Sequence, residues 1–139
     1  MTRRVHLAVV HKRYLDMILA GTKTAEARLT KTRRQPYTSL QAGETIYFKQ
    51  SGGPIRARAR AARVHRFELT SPRDIQRLRR RFEALLGGPS DYWNDKADAC
   101  YATIIELADI EPVDDTPAWY HPHNTRSAWR IFHVEQRNN

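Results

Sequence analysis

The sequence predicts a single α+β domain, and three observations carry that prediction. Its 139 residues fit one compact unit that can bury a core without disulfides or a structural metal. Several segments alternate apolar and polar residues with the period of two expected of half-buried strands. Two others carry the glycine or serine-proline punctuation that ends or begins a helix.

The elements follow in order. Val5, Leu7 and Val9 alternate with Arg4, His6 and Ala8, so the chain opens on a strand with one face on the core. Residues 11–20 gather Tyr14, Leu15, Ile18 and Leu19 on one side of a helix. Gly21 follows as its C-terminal cap, where left-handed backbone costs glycine little. The next strand carries Glu26 and Arg28, which alternation puts on one face, and the preceding turn brings Lys23 toward the same mouth. Residues 30–39, with Lys31, Arg33, Arg34 and Pro36, read as a surface loop. Thr45-Ile46-Tyr47-Phe48-Lys49 reads as a strand that runs into Gln50-Ser51-Gly52-Gly53-Pro54. The paired glycines there suit a close approach of backbone to ligand and an ordinary hairpin equally well.

Residues 55–67 are the longest strand signal. Arg56, Arg58 and Arg60 alternate with Ile55, Ala57, Ala59 and Ala61, which places three guanidinium groups on one face. Past Ala61-Ala62 the phase slips, as at a bulge of the kind that curls sheets into barrels. Ser71-Pro72-Arg73-Asp74 has an N-cap serine, a first-turn proline and an acid close to a capping box, and a helix should run from there to residue 86. Ile75, Leu78, Phe82 and Leu85 form its buried stripe, with Arg73, Arg77 and Arg80 on a solvated face. Gly87-Gly88-Pro89 stops it, and Tyr92 and Trp93 anchor a short second helix in the core. Residues 100–107 are apolar on both faces and should be central in the sheet. Residues 108–124 are irregular, broken by Pro112, Pro117 and Pro122, and residues 126–134 return as a closing strand.

Composition narrows the partners. Lys and Arg number 24 against 15 Asp and Glu, giving a net charge of +9, and the pI is near 10.2, so polyanions and above all nucleic acid are expected to bind. No apolar run is long enough for a membrane span and the start lacks an apolar signal core, so a soluble, cytoplasmic protein without a membrane partner is expected. Cys100 is the only cysteine, which excludes an intrachain disulfide and a multi-cysteine zinc site. His121-Pro122-His123 lacks a nearby third ligand and reads as two surface histidines. Neither a metal nor a cofactor is expected. The phosphate loop, the nucleophile elbow and the zinc-protease helix motif are all missing from the sequence.

One stretch is more specific. Gly21-Thr22-Lys23-Thr24-Ala25-Glu26-Ala27-Arg28 resembles the Gly-x-Lys-x-x-Glu-x-Arg signature of the ASCH domain, a branch of the PUA-like superfamily. Ile46-Tyr47-Phe48-Lys49-Gln50-Ser51-Gly52-Gly53-Pro54-Ile55, then Tyr92-Trp93, Tyr101-Ala102-Thr103 and Arg126-Ser127-Ala128-Trp129, are similar to stand-alone bacterial or phage members in the same order. The resemblance implies a PUA-like small mixed β-barrel flanked by helices, one domain over 1–139, with a cleft above the motif strand. It also implies RNA as first partner and single-stranded DNA as second. Some members of the family are metal-independent ribonucleases, and others are amidohydrolases acting on acetylated cytidine.

Carried onto this chain, the resemblance makes Lys23, Arg28 and Lys49 phosphate binders, with Arg56 and Arg58 added from the basic strand. Glu26 orients the two cations or accepts from a base edge, and Ser51, Gly52 and Gly53 offer backbone donors. A cleaving version draws on Lys23, Tyr47, Lys49 and Ser127, with a lysine neighbour lowering the tyrosine pKa. The amidohydrolases carry a threonine nucleophile where this chain has Glu26, and Thr24 stands two residues away, about 7 Å along a strand. Three readings therefore remain open: an RNA-binding protein with ribonuclease activity, an amidohydrolase using Lys23 with Thr24 or Glu26, and a non-catalytic reader of nucleic acid. The structural alternative for the trio is a Glu26 and Arg28 ion pair that closes the barrel, with Lys23 left over.

Overall fold

The alternating segments come together as one six-stranded mixed sheet in a computed structural model that describes residues 1–122 and 126–135. The elements are β1 (Thr2–Val10), α1 (Lys12–Ala20), β2 (Ala25–Thr30), β3 (Thr45–Gln50), β4 (Ile55–Glu68), α2 (Pro72–Phe82), α3 (Tyr92–Asp95), β5 (Tyr101–Pro112) and β6 (Trp129–Glu135). The strand order is β2-β5-β4-β3-β1-β6; β1 and β3 run parallel and every other pair is antiparallel. β5 lies inside the sheet, as its apolar faces require. The ladder does not close: β6 pairs with β1 alone and β2 with β5 alone, so the fold is barrel-like at most and β6 is an edge. Among the described residues no helix is long and apolar enough to cross a membrane.

The core is split between the two faces of the sheet, Ile105 of β5 falling in one cluster and Ala102 and Ile104 in the other. Leu15 and Ile18 of α1 pack on Ile46, Phe48, Ala57, Ala59, Ala61 and Ile105, where the alanines let the helix come close. Ile75, Leu78 and Phe82 of α2 and Trp93 of α3 cover Ala25, Ala27, Leu29, Ala102 and Ile104. Each fully buried leucine, isoleucine or phenylalanine contributes about 1.5–3 kcal/mol, which sets the scale of these two clusters. A third cluster joins Val5, Leu7, Tyr47, Ile55 and Phe132 beneath Trp119 and Tyr120.

Local chemistry explains where the elements depart from expectation. The phase slip in β4 is a bulge, with register shifts between Arg58 and Arg60 and between Ala61 and Arg63. Facing it, Asp109 takes a left-handed conformation with φ 54°. β5 runs five residues past 107 to Pro112, which pairs with Ala57 at the strand's last position, where a missing amide is tolerated. α2 ends at Phe82, short of residue 86, and Ser71 makes no side-chain cap. Instead Asp74 Oδ2 accepts from the Thr70 amide at 2.8 Å and the Thr70 hydroxyl at 3.0 Å, so the acid of the first turn holds the residue before the cap.

Two ends of secondary structure set up the site. Gly21 caps α1 at φ 82°, and the amides of Thr22 and Lys23 both donate to the Met17 carbonyl, at 3.0 and 3.2 Å, which turns Lys23 back along the sheet. The free edge of β2 is sealed by side chains. Tyr92 Oη accepts from the Leu29 amide at 3.0 Å and donates to the Ala27 carbonyl at 3.3 Å, and Glu26 Oε1 accepts from the Ala27 amide at 2.9 Å.

Candidate functional site

A cleft of about 1160 Å³ lies where the ladder fails to close, between the edge of β2, the end of β1 and residues 126–130. Lys23 and Glu26 form its floor at 4% and 7% exposure. Lys23 Nζ is 3.6 Å from Glu26 Oε1 and 3.5 Å from the Leu86 carbonyl, and Arg28 Nη2 is 3.8 Å from Glu26 Oε2. One carboxylate thus stands between two cations, so the trio keeps an uncompensated positive charge. Lys23 is not left over, because Glu26 serves it as well as Arg28.

Arg28 also ties the two sides of the opening together. Its Nη2 donates to the Val9 carbonyl at 2.9 Å and its Nη1 to the Ala128 carbonyl at 3.4 Å, with the guanidinium 5.4 Å from the Trp129 ring centre. Trp129 is itself fixed from behind, its Nε1 donating to His6 Nδ1 at 3.0 Å. An indole only donates, so His6 carries its proton on Nε2 and gives it to Glu44 Oε1 at 3.1 Å. Burial holds the His6 pKa below its ordinary value despite the Glu44 carboxylate. For Glu44, burial opposes ionisation, but hydrogen bonds from the Gln41 amide, Arg4 and His6 outweigh it and keep its pKa low.

The walls are aromatic and basic. Tyr14 bonds Ser90 Oγ at 3.2 Å, accepts from Arg13 Nη2 at 2.6 Å, and lies with its ring centre 5.6 Å from Lys23 Nζ. The Ser90 bond is the main cause that lowers its pKa; Arg13 and Lys23 add to it, against burial. Tyr92 goes the other way, pushed up to about 12 by burial, as suits a phenol that plugs a strand edge. Among the described residues the lining has seven basic side chains, Lys23, Arg28, Arg34, Lys49, Lys96, Arg126 and Arg130, against Glu26 and Asp95.

Of the residues singled out from sequence, Lys23, Glu26, Arg28, Lys49, Ser51 and Ser127 line this cleft. Lys49 Nζ donates to the Gln50 carbonyl at 3.3 Å and pairs with no carboxylate among the described residues. Ser127 Oγ donates to the Trp129 carbonyl at 2.6 Å. Tyr47, Gly52, Gly53, Arg56 and Arg58 lie elsewhere. Tyr47 is buried in the third cluster, edge-on to Trp119 at 4.9 Å, beside the Arg58 guanidinium. The glycine turn is the ordinary hairpin: the Ser51 amide is spent on the Val10 carbonyl and the Gly53 amide on Gln50, both at 2.8 Å.

Arg56 and Arg58 share the outer face of β4 with Arg60, and each meets an acid, although the one that Arg56 meets also bonds Lys12 at 2.8 Å. Arg56 meets Asp16 at 2.8 Å, Arg58 meets Glu111 at 2.5 Å, and Arg60 meets Asp109 at 2.9 Å. Thr24 is exposed, outside the cleft and before the start of β2, so strand alternation does not carry it toward Lys23. His121 packs its ring on Phe132 at 5.3 Å, and His123 lies outside the described residues. Among the described residues no three His, Cys, Asp or Glu side chains gather as a metal site.

Sequence reasoning missed Tyr14, Arg34, Ser90 and Trp129 as cleft residues. For Trp129 the signal was present in Arg126-Ser127-Ala128-Trp129. For Tyr14 there was none, since its place on the apolar side of α1 reads as core.

Comparison with known proteins agrees with this architecture. The ASCH domain family model matches residues 9–138. Among solved structures, a tyrosine-to-phenylalanine mutant of the ASCH protein from Zymomonas mobilis superposes with a TM-score of 0.64 at 17% identity, covering 81% of this chain and 74% of that one. The unmutated Zymomonas mobilis ASCH structure gives 0.61 at 18% identity over 78% and 69%. A protein from Enterococcus faecalis V583 gives 0.52 at 16% identity over 81% and 77%. No curated protein gives a significant match.

Proposed function

The chain belongs to the ASCH domain family, and from that premise we propose that it binds single-stranded RNA, taking one unpaired nucleotide into the cleft. The observation that carries this reading is the cleft's charge balance, seven basic side chains against two acidic ones around a buried polar floor. Lys49 and Arg28 meet the phosphate, while Lys23 donates to a base edge and Glu26 accepts from one. The Tyr14 ring, part-exposed on the wall, flanks the base. Single-stranded DNA lacks only the ribose hydroxyl and binds the same groove more weakly. The test is fluorescence anisotropy with labelled single-stranded RNA over a range of salt. Affinity should fall steeply as salt rises, and Lys23→Gln should weaken binding at least tenfold. Salt-independent binding, or full affinity in Lys23→Gln, would refute the reading.

A second reading, metal-independent cleavage of the bound RNA, is favoured by Tyr14, the cleft phenol whose pKa is lowered. It takes the place foreseen for Tyr47: in its ionised form Tyr14 takes the ribose 2′-hydroxyl proton, that oxygen attacks the adjacent phosphorus, the 5′-oxygen leaves with a proton from water, and Tyr14 returns its proton to solvent. Lys23 and Lys49 stabilise the phosphorane charge. Cleavage abolished in Tyr14→Phe but retained in Tyr47→Phe supports it; the reverse pattern rejects it. Amide hydrolysis through Thr24 has no geometric support, because that hydroxyl lies outside the cleft.

A further inference from the structure

A second, smaller pocket of about 480 Å³ adjoins the cleft and shares Tyr14, Leu86, Gly88 and Ser90 with it. The divide between the two is the hydrogen bond between Tyr14 and Ser90, both of which line each pocket. It is low at Gly88, where an added Cβ would meet nothing within 4 Å, so the wall there is bare backbone. Beyond the divide stand Arg13 and Arg79, with Asp91 as the acid in the lining. Arg13 lies against the Tyr14 ring, 4.7 Å from its centre, and gives one Nη to the phenol. Arg79 gives its Nε to Glu83 at 2.6 Å, which steadies the side chain and leaves both Nη groups for another partner. Arg13, which has no carboxylate partner among the described residues, supplies the net charge, and Arg79, whose own charge Glu83 already meets, adds Nη donors, so that the two can hold a phosphate.

We propose that this pocket is the phosphate subsite of the neighbouring nucleotide, so that the protein takes a strand of two or more nucleotides that crosses the divide between Tyr14 and Ser90. The inference rests on the RNA-binding reading and adds a minimum ligand length to it. It also puts the linkage between the two nucleotides over the Tyr14 hydroxyl.

The test compares a nucleoside 5′-monophosphate with a single-stranded hexanucleotide by calorimetry, on wild type, Arg79→Ala, Arg79→Glu and Lys23→Gln. In Arg79→Ala the hexanucleotide should bind about tenfold more weakly, the loss of a charge-assisted contact, with the monophosphate unchanged. Its salt slope should fall by about 0.7, one phosphate on a single strand. Arg79→Glu should weaken the hexanucleotide further and again spare the monophosphate. Hexanucleotide binding at wild-type strength in both Arg79 variants, or equal loss of both ligands, overturns the subsite. If Lys23→Gln then still loses both ligands, the cleft reading survives without it. If wild type binds neither ligand, both readings fall together.

Discussion

Two basic strands of this molecule look alike in sequence and do opposite things. On β4, Arg56, Arg58 and Arg60 each reach a separate carboxylate within 3 Å, at 2.8, 2.5 and 2.9 Å. On β2 and the turn before it, Lys23 and Arg28 share Glu26 at 3.6 and 3.8 Å. Arg58 and Arg60 are neutralised one for one, Arg56 shares Asp16 with Lys12, and all three pairs are open to solvent, where such pairs are worth little. The second set is nearly buried and short of one negative charge. Net charge says that a protein attracts polyanions, whereas charge balance says where it receives them.

The largest expected effect is on the buried side of this comparison. Glu26→Ala leaves the buried Lys23 and the partly buried Arg28 without their anion and the Ala27 amide unpaired, and should cost about 3 kcal/mol of stability in urea denaturation. A loss below about 1 kcal/mol would show the trio to be as well solvated as the β4 pairs.

The next concerns pH. His6 is fully buried with a pKa held below 6.5, and its faces meet Trp129 and Glu44, with Arg4 beyond. The unfolded chain therefore binds the proton first as pH falls. The His6 contribution to stability is whole above about 6.5 and is lost below it, toward the folded-state value. Thermal unfolding between pH 7.5 and 5 should show a falling midpoint that His6→Gln flattens; an equally steep fall in the variant would remove His6 as its source. The smallest effect belongs to β4. Arg58→Ala and Arg60→Ala should each cost under about 0.5 kcal/mol and leave RNA affinity unchanged. A tenfold weakening in either would move the phosphate path onto β4 and dissolve the contrast.

The cleft floor was legible because its signal is local: a helix, a glycine cap and a strand within residues 14–28 place Lys23, Glu26 and Arg28 by geometry alone. The fate of the β4 arginines was hidden because their acids come from α1 and from the part of β5 that the sequence left irregular, 40 to 53 positions away for Asp16, Asp109 and Glu111 taken against their partners. Tyr47 was misplaced for a similar reason. The alternation of β3 tells which residues oppose it, but the aromatic residues that cover it, Trp119 and Tyr120, arrive from a segment without periodicity. Tyr14 was missed because a residue on the apolar side of a helix can border a cleft as well as a core, and only the packing of 86–90 decides which.

The bond from Arg28 to Val9 and Ala128 has a mechanical consequence. A closed barrel widens only by tearing its ladder, whereas among the described residues this seam is crossed by the Arg28 guanidinium, bonded to a carbonyl on each side. Rotation of that side chain would remove both of these hydrogen bonds while every strand pairing stays intact. An anion bound by Arg28 would therefore compete with the Val9 and Ala128 carbonyls for the same guanidinium.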